Sequence, residues 1–143
     1  MVKFYLAHPF HSRFKVRKWE LEFEKRTGIE LINPFYDRKR LDVLNIDAGK
    51  VKRYDVDAST IVDNDTGIIA EPDVTGIVAI IDGSLSYGTI QEMVYSKIIN
   101  NKPVYSLITN GHDKHPWLMF HSTEVFTKLD QLESYLIGKY GRR

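Results

Sequence analysis

Hydrophobic and polar positions alternate between two periods along the chain, and the switches between them predict an ordered set of elements. Val2 to Ala7 is a short apolar, β-prone run that stops at His8-Pro9, and it reads as a first, central strand. From about Ser12 to Arg26, Phe14, Trp19, Leu21 and Phe23 sit among charged residues as in a one-sided helix of imperfect phase, and Gly28 supplies the stop. Ile29 to Phe35 predicts a second strand whose exit is marked by Pro34. Tyr36 to Lys50 is polar and irregular, with Leu41, Val43, Leu44 and Ile46 keeping no period, so it is expected to be a surface loop with a helical turn. Val51, Tyr54, Ala58, Ile61 and Val62 then predict a helix from about Val51 to Ile69, closed by Glu71-Pro72-Asp73.

The eight residues Val74 to Ile81 form an unbroken, mostly β-branched run, the pattern of a strand covered on both faces in the middle of a sheet. Ile90, Met93, Val94 and Ile98 predict a helix to about Asn101, and Lys102-Pro103 leads into a buried strand from Val104 to Ile108. Thr109 to Pro116 reads as a polar loop, Thr123 to Thr127 as a short last strand and Leu129 to Leu136 as a terminal helix. Strands alternating with helices in this way predict an α/β fold with a parallel, doubly wound sheet.

Composition narrows what such a fold can do. The 143 residues, 43% hydrophobic and 27% charged, fit one globular domain spanning 1–143. Twenty basic residues against nineteen acidic ones leave no overall field to gather a nucleic acid polymer or an acidic membrane surface, so any anion must be held locally. With no cysteine there is no disulfide, thiolate ligand or thiol nucleophile, which suits a cytoplasmic protein. The longest apolar run is far below the roughly 20 residues of a membrane span, and the N-terminus reaches His8-Pro9 without the apolar stretch of a signal peptide.

In open α/β sheets ligands gather at the carboxyl ends of strands, which selects His8 to Arg13, Asp82 to Glu92 and Thr109 to Pro116. The loop Asp82-Gly-Ser-Leu-Ser-Tyr-Gly-Thr89 leads into a helix and can offer backbone N–H groups to an anion or a sugar hydroxyl. Glu92 lies beside it, where a carboxylate could attack a sugar carbon or act as a base. Thr89-Ile-Gln-Glu92 is equally a capping-box pattern, with Thr89 as cap and Glu92 reaching back, and spacing alone favours the cap. Asp63 and Asp65 fit either a solvated helix end or a proton donor to a departing base. Tyr5 fits either the core or a phenol that orients a carboxylate. His112 and His115, three apart on a loop with no third ligand specified, are a weak zinc signal, and no metal site is expected.

Taken in order, these segments resemble the nucleoside 2-deoxyribosyltransferases and the related nucleoside 5'-monophosphate N-glycosidases. The resemblance lies in Tyr5-Leu-Ala-His-Pro-Phe10, Asn64-Asp65 with Asp73, Val78-Ala-Ile-Ile-Asp-Gly83, Gly88-Thr-Ile-Gln-Glu92 and Lys102-Pro-Val104, and it runs from about Lys3 to Ile108. It implies a flavodoxin-like or Rossmann-like three-layer sandwich with a mainly parallel sheet of about five strands. It further implies cleavage of an N-glycosidic bond with Glu92 as nucleophile, Tyr5 orienting it and Asp65 assisting the departing base. His8, Pro9, Phe10, Asp82, Gly83, Ser86, Gly88 and Thr89 would contact the substrate, a nucleoside or nucleotide, together with a nucleobase. No cofactor is implied, and the family leads us to expect a homo-oligomer with shared sites, working in nucleotide salvage.

Two positions depart from the family pattern. Ser86 stands six residues before Glu92, where the transferases carry Asp, and a hydroxyl suits a 5'-phosphate that a carboxylate would repel. Glu92-Met-Val94 replaces the usual Glu-Leu-Gly. A non-catalytic nucleotide-binding module on the same sheet is the competing class. A phosphate-accepting receiver domain fails because no acidic pair follows strand one.

Overall fold

A computed structural model describes residues 1–37, 49, 57–84 and 86–141. Five parallel strands, β1 (Lys3–Ala7), β2 (Glu30–Ile32), β3 (Val74–Ile81), β4 (Val104–Ile108) and β5 (Glu124–Phe126), lie in the order β2-β1-β3-β4-β5. The helices are α1 (Arg13–Thr27), α2 (Ala58–Ala70), α3 (Tyr87–Val94), α4 (Pro116–Phe120) and α5 (Leu129–Tyr140). The β-branched run Val74–Ile81 is the central strand, flanked by β1 and β4, as a two-sided hydrophobic strand should be.

Strand alternation sorts the core into two layers. Phe4, Leu6, Val78, Ile80, Tyr105 and Leu107 pack with Val16 and Phe23 of α1 and Leu132 and Leu136 of α5. Tyr5, Ala7, Ile77, Ala79, Ile81, Val104 and Ile108 turn the other way, onto Ile68 and Ile69 of α2 and Met93 of α3. The result is a helix–sheet–helix sandwich of the flavodoxin-like kind. Gly76 is demanded by this packing, since a Cβ there would lie 2.3 Å from the Pro103 carbonyl oxygen, where the chain enters β4.

Several boundaries differ from the sequence pattern for identifiable reasons. Strand two stops at Ile32, because the Asn33 carbonyl accepts from Tyr36 N (3.2 Å) and Asp37 N (2.9 Å) and so closes a turn at once. The predicted Ile90–Asn101 helix is α-helical only to Val94 and continues as one π-helical stretch, Tyr95–Ile99, ending where Asn100 N donates to the Tyr95 carbonyl. The segment 109–116 is not loop throughout: Pro116 starts α4, and the His115 side chain accepts from Trp117 N to cap it. The terminal helix runs one turn beyond Leu136, to Tyr140. The irregular stretch expected at Tyr36–Lys50 and the first turns of the Val51–Ile69 helix fall largely outside the described residues.

Candidate active site

β1 carries Tyr5 fully buried in the layer shared with α2 and α3, and its phenol donates a hydrogen bond to Glu92 Oε2. The two residues are 87 positions apart, and strand alternation together with the placement of α3 brings them into contact. Glu92 is half-buried, on the sixth residue of α3. It therefore reaches across to the sheet and not back to the helix start.

The capping-box reading of Thr89 and Glu92 is overturned. Ser86 has the extended backbone of an N-cap (φ −103°, ψ 126°), and its Oγ accepts from Thr89 N at 3.3 Å. Thr89 is thus the third helical residue, buried, with no hydrogen-bond partner for its Oγ1 among the described residues. As an acceptor in the cap, the Ser86 hydroxyl keeps its own proton to donate elsewhere. Gly88 is exposed, and a Cβ there would meet nothing nearer than Ser86 Oγ at 3.9 Å.

Asp65 lies half-buried within α2, with Asn64 Nδ2 donating to its Oδ1 at 3.0 Å, while Asp63 is exposed. α2 and α3 touch on the same side of the sheet. Asp65 is therefore eight residues into a 13-residue helix and not at a solvated end.

The exits of β1 and β3 carry the other candidate residues. The Pro9 carbonyl accepts from His8 Nδ1 (3.0 Å), Ser12 Oγ (3.0 Å) and Ser12 N (3.2 Å), which fixes the sharp turn into α1. A carbonyl can only accept, so His8 carries its proton on Nδ1 and presents Nε2 as an acceptor. Burial lowers the basicity of His8 below the ordinary imidazole range, against the smaller opposing effect of the Pro9 carbonyl, so the ring is neutral at pH 7. Nε2 makes no hydrogen bond of normal geometry among the described residues, although the Asn33 side chain is near enough to favour protonation. Phe10 lies under the Arg13 guanidinium (3.8 Å to the ring centroid). Asp82 faces His11 Nε2 at 3.7 Å and Lys15 Nζ at 3.8 Å. Gly83 turns the chain at φ +62°, and Asn110 Nδ2 holds its carbonyl at 2.9 Å, tying the exits of β3 and β4 together.

A fourth strand exit belongs with these. After β2, Asn33 and Phe35 reach the β1 exit, with Phe35 at 4.9 Å from the His8 ring and 5.6 Å from Phe10. The rule that selects the other exits selects this one too, and Asn33-Pro34 was its only local signal. Among the described residues no group of three His, Asp or Glu side chains could hold a metal ion, and no helix is long and apolar enough to cross a membrane.

No protein-family model matches the chain, and neither does any curated protein sequence. Solved structures do. The 2-deoxyribosyltransferase of the psychrotolerant bacterium Bacillus psychrosaccharolyticus, described as a biocatalyst for nucleoside synthesis, superposes with a TM-score of 0.69 at 20% identity, over 94% of this chain and 92% of that one. A conserved protein from Enterococcus faecalis V583 gives 0.67 at 16% identity, over 94% and 96%. The fold of this chain is the one on which that 2-deoxyribosyltransferase is built.

Proposed function

We propose that the protein cleaves the N-glycosidic bond of a 2'-deoxyribonucleoside and transfers the deoxyribosyl group to another nucleobase. The observation that carries this reading is the hydrogen bond from the buried Tyr5 phenol to the half-buried Glu92 carboxylate, at the sheet face and on the fold of a 2-deoxyribosyltransferase. A carboxylate kept only as a helix cap has no need of a phenol 87 residues away.

In this reading a Glu92 oxygen attacks the anomeric carbon, the C–N bond breaks, and its electron pair leaves with the base, which takes a proton from Asp65 or from water. A nitrogen of the incoming base then attacks the anomeric carbon, the ester C–O bond breaks to regenerate the carboxylate, and the N–H proton of that base returns to Asp65 or to water. Tyr5 fixes the carboxylate rotamer and stabilises the returning charge through a charge-assisted hydrogen bond. In the same reading His8, Pro9, Phe10, Asp82, Gly83, Ser86, Gly88 and Thr89 seat base and sugar, and a neighbouring subunit of a homo-oligomer completes the site.

Ser86 supports a second reading, hydrolysis of nucleoside 5'-monophosphates. It caps α3, where backbone N–H groups and a hydroxyl favour an anion and the first turn of the helix carries no acidic side chain. One experiment separates the two. Deoxyadenosine is offered with cytosine, and deoxynucleoside monophosphates are offered alone, with products resolved by chromatography. Deoxycytidine is the expected product; free base from monophosphates alone selects hydrolysis, and no glycosidic cleavage in either arm rejects both.

A further inference from the structure

Glu20 is an acid with no exposed surface, on the inner face of α1. Its Oε1 accepts from Asn33 Nδ2 at 2.7 Å and from Arg17 Nη1 at 3.1 Å, while its buried Oε2 has no hydrogen-bond partner among the described residues. A buried, half-satisfied carboxylate carries a desolvation cost, and it is offset only through the donors it holds, since an alkyl side chain would deprive the buried Asn33 amide and the Arg17 guanidinium of this acceptor. Its partners show what it holds. Asn33, also fully buried, donates through its backbone N to Asp37 Oδ2 (2.8 Å), and its Oδ1 accepts from Phe35 N (3.0 Å). Arg17 spans from Glu20 to Asp37 (3.4 Å) and lies over the Tyr36 ring at 5.0 Å. The turn 33–37 is thereby clamped at both ends, and the ring it carries, Phe35, packs on His8 and Phe10.

We propose that Glu20 is a positioning residue: through Asn33 and Arg17 it sets the 33–37 turn that presses Phe35 against His8 and Phe10. The proposal rests on the reading above, in which the β1 exit receives the substrate. Among the described residues, the charged groups facing Glu20 are Arg17 from its own helix and Asp37 from the turn. Burial pushes its carboxyl up to about 7, against the opposing hydrogen bonds of Asn33 and Arg17. The ionised carboxylate makes the stronger, charge-assisted bonds, so the clamp tightens as pH rises through neutrality.

The test compares wild type, Glu20→Gln and Glu20→Leu from pH 6 to 8, each checked by thermal melting. For wild type, KM for the deoxynucleoside should fall as pH rises through about 7. In Glu20→Gln this dependence should vanish, and in Glu20→Leu KM should rise about tenfold with kcat within about twofold. The backbone amide resonances of Asn33 and Phe35 should titrate near pH 7 in wild type and not in Glu20→Gln. If wild type cleaves no glycosidic bond, the activity reading fails while these resonances still decide the clamp. Unchanged pH behaviour of KM and of both amides in Glu20→Gln would overturn the proposal, as would a loss confined to kcat. Should Glu20→Leu fail to fold, the Glu20→Gln profile and resonances decide alone.

Discussion

Two tyrosines of this sheet are buried alike and serve differently. Tyr5 on β1 and Tyr105 on β4 are 0% and 1% exposed, and both direct their phenols toward a helix. Tyr5 faces α2 and α3 and donates to the Glu92 carboxylate. Tyr105 faces α1 and α5, where its hydroxyl meets that of Tyr140 at 2.6 Å, among Phe4, Tyr135 and the Lys139 side chain. A buried phenol paired with a half-buried one satisfies both hydroxyls without engaging a reactive group. A phenol on a carboxylate that is itself only half-buried orients a reactive group, and it is the partner, not the burial, that separates site from core.

The comparison is broken most severely at Glu92. Glu92→Ala should lower turnover by about ten-thousandfold or more, the scale of losing a covalent nucleophile, while deoxynucleoside binding measured by calorimetry is partly kept. If Glu92 only satisfies the buried Tyr5 phenol, the loss is instead about 1–3 kcal/mol of stability with binding intact. Tyr5→Phe should cost roughly 10- to 100-fold in kcat, the kinetic equivalent of one hydrogen bond to a charged group, with the melting temperature little changed.

A third buried polar side chain sharpens the contrast through pH. The carboxyl of Glu20 is raised from 4.5 to about 7 in the folded chain. The folded state therefore holds a proton that the unfolded state has released between those values, and stability falls as pH rises from about 4.5 to about 7. Relative to Glu20→Gln, wild type should lose up to about 3 kcal/mol across that window, read by denaturant unfolding at each pH.

The smallest effect is expected at Tyr105→Phe: about 1 kcal/mol of stability and unaltered turnover. Burial and the Tyr105 contact raise the Tyr140 phenol to about 12. Unfolded tyrosine ionises near 10, so the folded chain loses stability as pH climbs from there toward 12. Ultraviolet titration of the variant should show a tyrosine ionising at lower pH than in wild type.

Much of the architecture was legible because burial writes itself into period. Val74–Ile81, covered on both faces, could be little else than a central strand, and Gly28 ended α1 with the left-handed geometry its position implied (φ 75°). Where the outcome turned on hydrogen bonds between distant residues, one-dimensional spacing was silent. Ser86 and Thr89 both have cap chemistry, and only the backbone conformation at Ser86 decides between them. Glu20 looks like one more charge on a charged helix until Asn33, 13 residues on, folds back onto it. The Tyr5–Glu92 pair was accessible from the resemblance, and its contact follows from β1 alternation placing Tyr5 opposite Phe4 and Leu6.

The central claim is that Glu92 carries the sugar. Incubating the protein with a 2'-deoxy-2'-fluoro nucleoside, whose fluorine slows release of the glycosyl ester, and mapping the adduct by peptide mass spectrometry tests it directly. We predict one sugar on the peptide containing Glu92, absent in Glu92→Ala and slower to form in Tyr5→Phe. A sugar on a different residue, or transfer activity that persists in Glu92→Ala with no adduct at all, would contradict the account.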